Sequence, residues 1–301
     1  MDQRINIDSK EKRKKIRNAV CGGVEAMKAS LYRSSRKRFL NITTFPQFLA
    51  DENRRMRSTL RATRFEFNGN RLSELEKPLY AVYMFRTLFS GIINFDLDDL
   101  VRFILTVRKN YRKVPYHNWT HGWTVAHAMF VFLLRDKEFR PLEKLGLFVA
   151  AICHDLDHRA KDATTFEIST SEEYKKVLGL IKYCILATDL ALFFPNKAKL
   201  NAIIKEGNFD WKNDTHRSLA QAILMTACDL IATAKPWKVQ TETVKVIFEE
   251  FYEQGDAEKI NGREPIPMMD RTKANELPQM QVGKIIIQCR KMEELAEEQK
   301  K

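Results

Sequence analysis

From about Leu75 onward, apolar residues fall at helical spacing. Leu97, Leu100, Val101, Ile104 and Leu105 recur at i, i+3, i+4, i+7 and i+8, the stripe of an amphipathic helix, with Asp96 placed to cap it and Asp99 in its first turn. Glu172 to Phe194 puts Tyr174, Val177, Leu178, Ile181 and Ile185 on one stripe, with Pro195 as its stop. Ser218 to Leu230 makes a further apolar helix in a segment that ends at Lys235-Pro236. No sustained alternation of β-branched residues competes with this period. The pattern predicts an all-α fold, a compact array of helices.

The chain has 301 residues, 44% of them hydrophobic, with 11 Gly and 9 Pro, which excludes collagen, disorder throughout and a disulfide miniprotein. That length suits one large domain or two small ones with a proper core. The apolar run Gly122 to Leu134 is too short to cross a bilayer, and the N-terminus opens on Met1-Asp2-Gln3-Arg4 rather than an apolar signal core. Five cysteines (Cys21, Cys153, Cys184, Cys228 and Cys289) form no C-x-x-C pair, which fits packed or exposed thiols in a reducing compartment better than disulfides or a thiolate zinc site. The expected location is therefore cytoplasmic.

The formal charge of +12 is uneven and changes that picture. Residues 1–75 carry 18 Lys+Arg against 8 Asp+Glu, while the remainder carries 33 against 31. The basicity thus belongs to a leader containing Lys12-Arg13-Lys14-Lys15 and Arg36-Lys37-Arg38. Such runs touch acidic lipid, nucleic acid or a partner, or are simply solvated. A peripheral place at a membrane through this leader is one expectation; specific nucleic-acid binding is not, because the region beyond the leader is almost neutral.

The six histidines are more informative. His117-Asn118-Trp119-Thr120-His121 places two imidazoles four apart just after Pro115, on the same side of a helix start. His154-Asp155-Leu156-Asp157-His158 follows the apolar run Leu145 to Cys153, so a buried helix ends in five residues of which four are able to ligate metal or move protons. Burying so many ionisable groups is costly unless a cation or hydrogen bonds offset it. Imidazole with carboxylate suits zinc, and carboxylate with water suits magnesium or manganese, so a mixed set points to hydrolysis rather than structural zinc. Asp229 is an acidic residue in the otherwise apolar Met225–Leu230 stretch, equally consistent with a structural ion pair and with a further ligand.

Tyr116-His117-Asn118-Trp119-Thr120-His121, His154-Asp155-Leu156-Asp157-His158-Arg159, Ala187-Thr188-Asp189-Leu190-Ala191, Met225-Thr226-Ala227-Cys228-Asp229-Leu230, Lys235-Pro236-Trp237, Pro267-Met268-Met269-Asp270-Arg271 and Gln281-Val282-Gly283 follow one another in that order. This ordered set resembles the catalytic domain of the class I cyclic nucleotide phosphodiesterases, most of all the cyclic-GMP-hydrolysing branch that includes the photoreceptor enzymes. The resemblance covers roughly residues 78–283 and divides the chain into a basic leader, partly disordered or helical (1–75), a phosphodiesterase-like catalytic domain (76–283) and a charged tail (284–301). It implies a compact multi-helix fold of the His-Asp metal hydrolase type and hydrolysis of 3′,5′-cyclic nucleotides, cyclic GMP favoured, to 5′-monophosphates in signal transduction.

The resemblance further implies that His121, His154, Asp155 and Asp229 hold a tightly bound ion, usually zinc. Asp155 would be shared with a second ion, magnesium or manganese. His117 matches the general acid, and His158 a histidine beside the bridging hydroxide. Gln281 matches the purine-binding glutamine, and Tyr116, Gln240 and Met280 match positions lining the same pocket.

Departures accompany the matches. After Arg159 the family continues with Gly, any residue, Asn, Asn, whereas this chain reads Ala160-Lys161-Asp162-Ala163. A family segment with a Glu and a His-His pair that buttress the metal site is missing between Ser169-Thr170-Ser171 and Glu172-Glu173-Tyr174. Lys284 stands where the family places a Phe that clamps the purine, a stacking loss of about 1 kcal/mol. The upstream regulatory domains of the cyclic-GMP branch and a C-terminal prenylation box are not seen in this sequence, which reads as a truncated or alternatively spliced product. The alternative expectation is a weak or silent isoform acting by binding or interference, as a homo- or heterodimer with a full-length relative.

Overall fold

The computed structural model describes residues 64–156 and 171–276. These fall into two compact units, one running to Lys113 and from His117 to Pro236, the other joining Val114–Tyr116 to the chain from Trp237 onward. The first unit carries α1 (Glu76–Phe89), α2 (Leu97–Asn110), α3 (Trp119–Leu133), α4 (Pro141–Cys153), α5 (Ser171–Ala187), α6 (Leu190–Lys205) and α7 (Asp214–Asp229); the second carries α8 (Trp237–Ile260). No strand occurs among the described residues, as the helical period predicted.

Local chemistry sets the helix starts. The Asp96 side chain accepts from the Asp99 amide at 3.0 Å to open α2, the cap read from the sequence. Asn118 does the same for α3 with the amides of Thr120 (2.8 Å) and His121 (3.4 Å). Pro141 occupies the first position of α4, where its missing N–H costs nothing. α7 begins at Asp214 rather than Ser218, because Asn213 accepts from the amides of Thr215 (2.9 Å) and His216 (3.3 Å).

The Glu172–Phe194 helix needs correction. The chain breaks at Thr188-Asp189, turns through 103° and restarts as α6, with Pro195 inside the new helix rather than at the end of the old one. Thr188 Oγ1 donates to the Ile185 carbonyl (2.8 Å), and Asp189 caps Ala191 N (3.0 Å). Pro195 is tolerated because it and Ala191, whose carbonyl it leaves without its helical donor, are both exposed rather than buried.

Helices α3 and α4 are apolar nearly all round, which is how central helices read. Val125, Met129 and Phe130 of α3 and Leu145, Leu147 and Phe148 of α4 are inaccessible to solvent or nearly so. Burying each such side chain stabilises the fold by roughly 1.5–3 kcal/mol. Phe85 and Phe89 of α1 meet Phe148 edge-on at 6.0 and 6.2 Å. Gly146 admits α5 against α4, since a Cβ there would lie 2.7 Å from Leu180 Cδ2. The buried Thr226 hydroxyl ties α7 to the end of α5 by donating to Ala187 O at 2.7 Å. No single helix among the described residues is long and apolar enough to cross a membrane.

Candidate metal centre

Three helices of the first unit deliver four side chains to one point. His121 is the third residue of α3, its backbone fixed by the Asn118 cap. His154 follows the last residue of α4 and Asp155 comes next, while Asp229 is the last residue of α7. His121 Nε2 and His154 Nε2 are 3.1 Å apart. Asp229 Oδ1 lies 3.0 and 3.1 Å from the two nitrogens, and Asp155 Oδ2 lies 3.3 and 3.2 Å from them.

Hydrogen bonding alone does not account for this arrangement. His154 Nδ1 lies 2.9 Å from the Ala151 carbonyl, which can only accept, so a neutral His154 turns a bare Nε2 lone pair toward His121 and two carboxylates. Asp155 Oδ2 is buried and accepts no hydrogen bond with acceptable geometry. Two helix C-termini, α4 and α7, add partial negative charge to the same place. Protons on both rings or a cation between them resolve the conflict.

The electrostatics run the same way. Burial lowers the basicity of His154, but the carboxylates of Asp155 and Asp229 facing its ring outweigh it and bring the imidazole up to about 10. His121 is raised by the same pair against its own burial. Burial raises the two carboxyls, yet the facing imidazoles hold both well below the usual carboxylate range.

A field that holds protons on the imidazoles also favours a divalent cation in their place. Donors about 2.1 Å from one ion sit roughly 3.0–3.4 Å from their neighbours at octahedral to tetrahedral angles. The spacings here, 3.0 to 3.3 Å, fall in that range. His121, His154 and Asp155 form a group able to hold a metal ion, flanked by Asp229.

His117 precedes the Asn118 cap and so lies outside α3, contrary to its reading as part of the helix start, yet its ring centroid comes 5.5 Å from that of His121. Tyr116 and Gln240 belong to the second unit and are half-buried, with the Tyr116 amide donating to Glu250 Oε2 at 2.7 Å. His158, Met280 and Gln281 lie outside the described residues, as do the leader to residue 63 and the charged tail. Sequence reasoning passed over Asn118, whose signal was an Asx residue directly before the first helical position.

The model of the 3′5′-cyclic nucleotide phosphodiesterase family matches residues 116–170 and 159–299. The chain belongs to that family. The match comes in two pieces that overlap at residues 159–170, just before the Ser171–Glu172 junction where a family segment is expected to be missing. Among curated proteins, this family member is 57% identical over 255 residues to a probable 3′,5′-cyclic phosphodiesterase, pde-5, of Caenorhabditis elegans, covering 72% of this chain and 35% of the relative. It is 38% identical over 232 residues to cGMP-specific 3′,5′-cyclic phosphodiesterases of Drosophila melanogaster and Drosophila virilis, covering 64% of this chain and 21% and 26% of those relatives. The chain thus spans about a third or less of the length of the curated relatives it matches.

Proposed function

We propose that this chain hydrolyses 3′,5′-cyclic nucleotides to 5′-nucleoside monophosphates, with cyclic GMP favoured. The observation that carries the reading is the convergence of His121, His154, Asp155 and Asp229 within a member of the phosphodiesterase family. The preference for cyclic GMP is supported by the cGMP-specific relatives. His121, His154, Asp155 and Asp229 would hold a first divalent ion, zinc by the imidazole and carboxylate donors, and Asp155 would also serve a second, magnesium or manganese. When bound, such ions supply Lewis acidity and a more acidic water.

The chain's own residues do the rest. With its cations in place, the site would hold the phosphodiester for in-line attack, in which a P–O bond to the water oxygen forms as the bond to the 3′ oxygen breaks. His117, whose ring is 5.5 Å from His121, donates the proton that the departing 3′ oxygen needs. His158 would assist the attacking water, as the family resemblance implies. Gln281 hydrogen-bonds the purine, with Tyr116, Gln240 and Met280 lining its pocket. A cytoplasmic location, peripheral at a membrane through the basic leader, and dimerisation with a phosphodiesterase relative complete the proposal.

Hydrolysis of cyclic GMP and cyclic AMP by the purified chain with zinc and magnesium, beside Asp229→Ala, tests it. Turnover lost in the variant is expected. A folded, metal-loaded chain with no turnover on either nucleotide would leave the binding-only reading in its place.

A further inference from the structure

We propose that Tyr111 is a positioning residue of the metal centre: its hydroxyl ends α4 at Cys153 and thereby sets the bearing of His154 and Asp155. The inference rests on the metal reading given above.

Tyr111 caps the C-terminus of α2 and is buried. Its hydroxyl reaches across the first unit and donates to the Ile152 carbonyl at 3.0 Å, two residues before His154. The ring meets Trp119, the first residue of α3, edge-on at 6.1 Å. Gly122, directly after His121, makes room for the phenol, because a Cβ there would overlap the hydroxyl. One side chain from α2 therefore touches both helices that carry the two imidazoles.

The last carbonyls of a helix have no intrahelical partner, so whatever satisfies them decides where the helix stops. In α4 each of the last three is claimed. Ala151 O accepts from His154 Nδ1 (2.9 Å), Ile152 O from Tyr111 (3.0 Å) and Cys153 O from the Leu156 amide (3.1 Å). In a regular α-helix the Leu156 amide would instead bond Ile152 O, four residues back, and the helix would run on through His154 and Asp155. The Tyr111 donor occupies Ile152 O from the side and leaves the Leu156 amide to the tighter bond with Cys153. Without it, a buried carbonyl lacks its donor and the two patterns compete, which swings Asp155 about the helix axis relative to His121 and Asp229.

The test is a cobalt(II) titration of the folded full chain, read by visible absorption of the bound ion, with folding followed separately by circular dichroism and thermal melting. Tyr111→Phe removes the donor and keeps the ring. It is expected to bind cobalt about 10-fold or more weakly, the loss usual for a residue that orients a ligand, and to shift the absorption bands. Val82→Ala, a cavity in the fully buried part of α1, is expected to lower the melting temperature and leave affinity and bands unchanged. If Tyr111→Phe does not fold, 4-fluorophenylalanine at 111 fills the hydroxyl's place without donating, and the same loss is expected. Wild-type affinity and bands in a Tyr111 variant would overturn the positioning role alone. A folded wild-type chain that takes up no cobalt would overturn the metal reading and this inference with it.

Discussion

Replacing Arg217 by Met should unfasten the metal-bearing helices at the ends opposite the metal centre. The Arg217 guanidinium in α7 donates to Glu143 in the first turn of α4 through Nε (2.9 Å to Oε1) and Nη2, and also to the carbonyls of Trp211 (2.8 Å) and Glu138 (3.0 Å). It lies 5.8 Å from the Trp211 ring, and the two charged side chains are 6% and 17% exposed. At 1.5 Å per residue the pair sits roughly 16–18 Å along α4 and α7 from His154 and Asp229.

Removing one partner of so buried a pair leaves a charge and two carbonyls uncompensated, a loss of about 3–5 kcal/mol. That is a large share of the 5–15 kcal/mol typical of a domain. The pH dependence identifies the cause. Burial raises the Glu143 carboxyl, but Arg217 and the Arg140 amide outweigh it and depress the group below 4.5. A depressed carboxyl contributes stability that is full above its unfolded pKa and is lost as pH falls through the folded one. Without Arg217, burial dominates and the sign reverses, so the penalty should be greatest at pH 7 and shrink below about pH 4. Urea unfolding of both proteins at pH 7 and pH 3.5 measures this. A penalty under 1 kcal/mol, or one equal at the two pH values, would refute the argument.

Three further outcomes are expected. Asn118→Ala deletes the cap shared by the Thr120 and His121 amides and should cost about 1 kcal/mol in thermal unfolding while weakening zinc binding measured by calorimetry. Zinc at a hundred times its Kd should stabilise the chain by about 2.7 kcal/mol, an increment that a chelator removes and that Asp229→Asn does not show. Burial pushes the Cys153 and Cys184 thiols up to about 12 and Cys228 higher still, so all three should resist iodoacetamide at pH 7.5 in the native chain and react in denaturant, as read by peptide mass spectrometry.

The helical period was legible because apolar spacing reflects burial, and α2 with its Asp96 cap follows that spacing. The metal-site candidates were legible because ionisable residues at the end of an apolar run have few bland explanations. The break between α5 and α6 was not: Thr188-Asp189 interrupts the stripe through side-chain bonds to its own backbone, which periodicity does not register, and Pro195 drew the boundary to the wrong place. The Arg217–Glu143 pair was equally silent, since its partners are 74 residues apart and each looks like an ordinary surface charge in sequence.

The departures expected from the sequence begin at Ala160, beyond Asp155, and the described supports of the metal cluster come from elsewhere. Asn118 sets the start of α3, Tyr111 reaches the end of α4 from α2, Arg217 joins α4 to α7 far from the metal, and Thr226 fastens α7 to α5. Asn118 acts within α3 and the other three each join a different pair of elements, so their deletions should be nearly additive where the sites share no partner. If a family segment is absent at Ser171–Glu172, as the sequence leads one to expect, its loss would remove one buttress among several. Combining Asn118→Ala with Arg217→Met examines this: losses in unfolding free energy that sum to within about 0.5 kcal/mol are expected, and a much larger combined loss would mean that the remaining supports act as one unit.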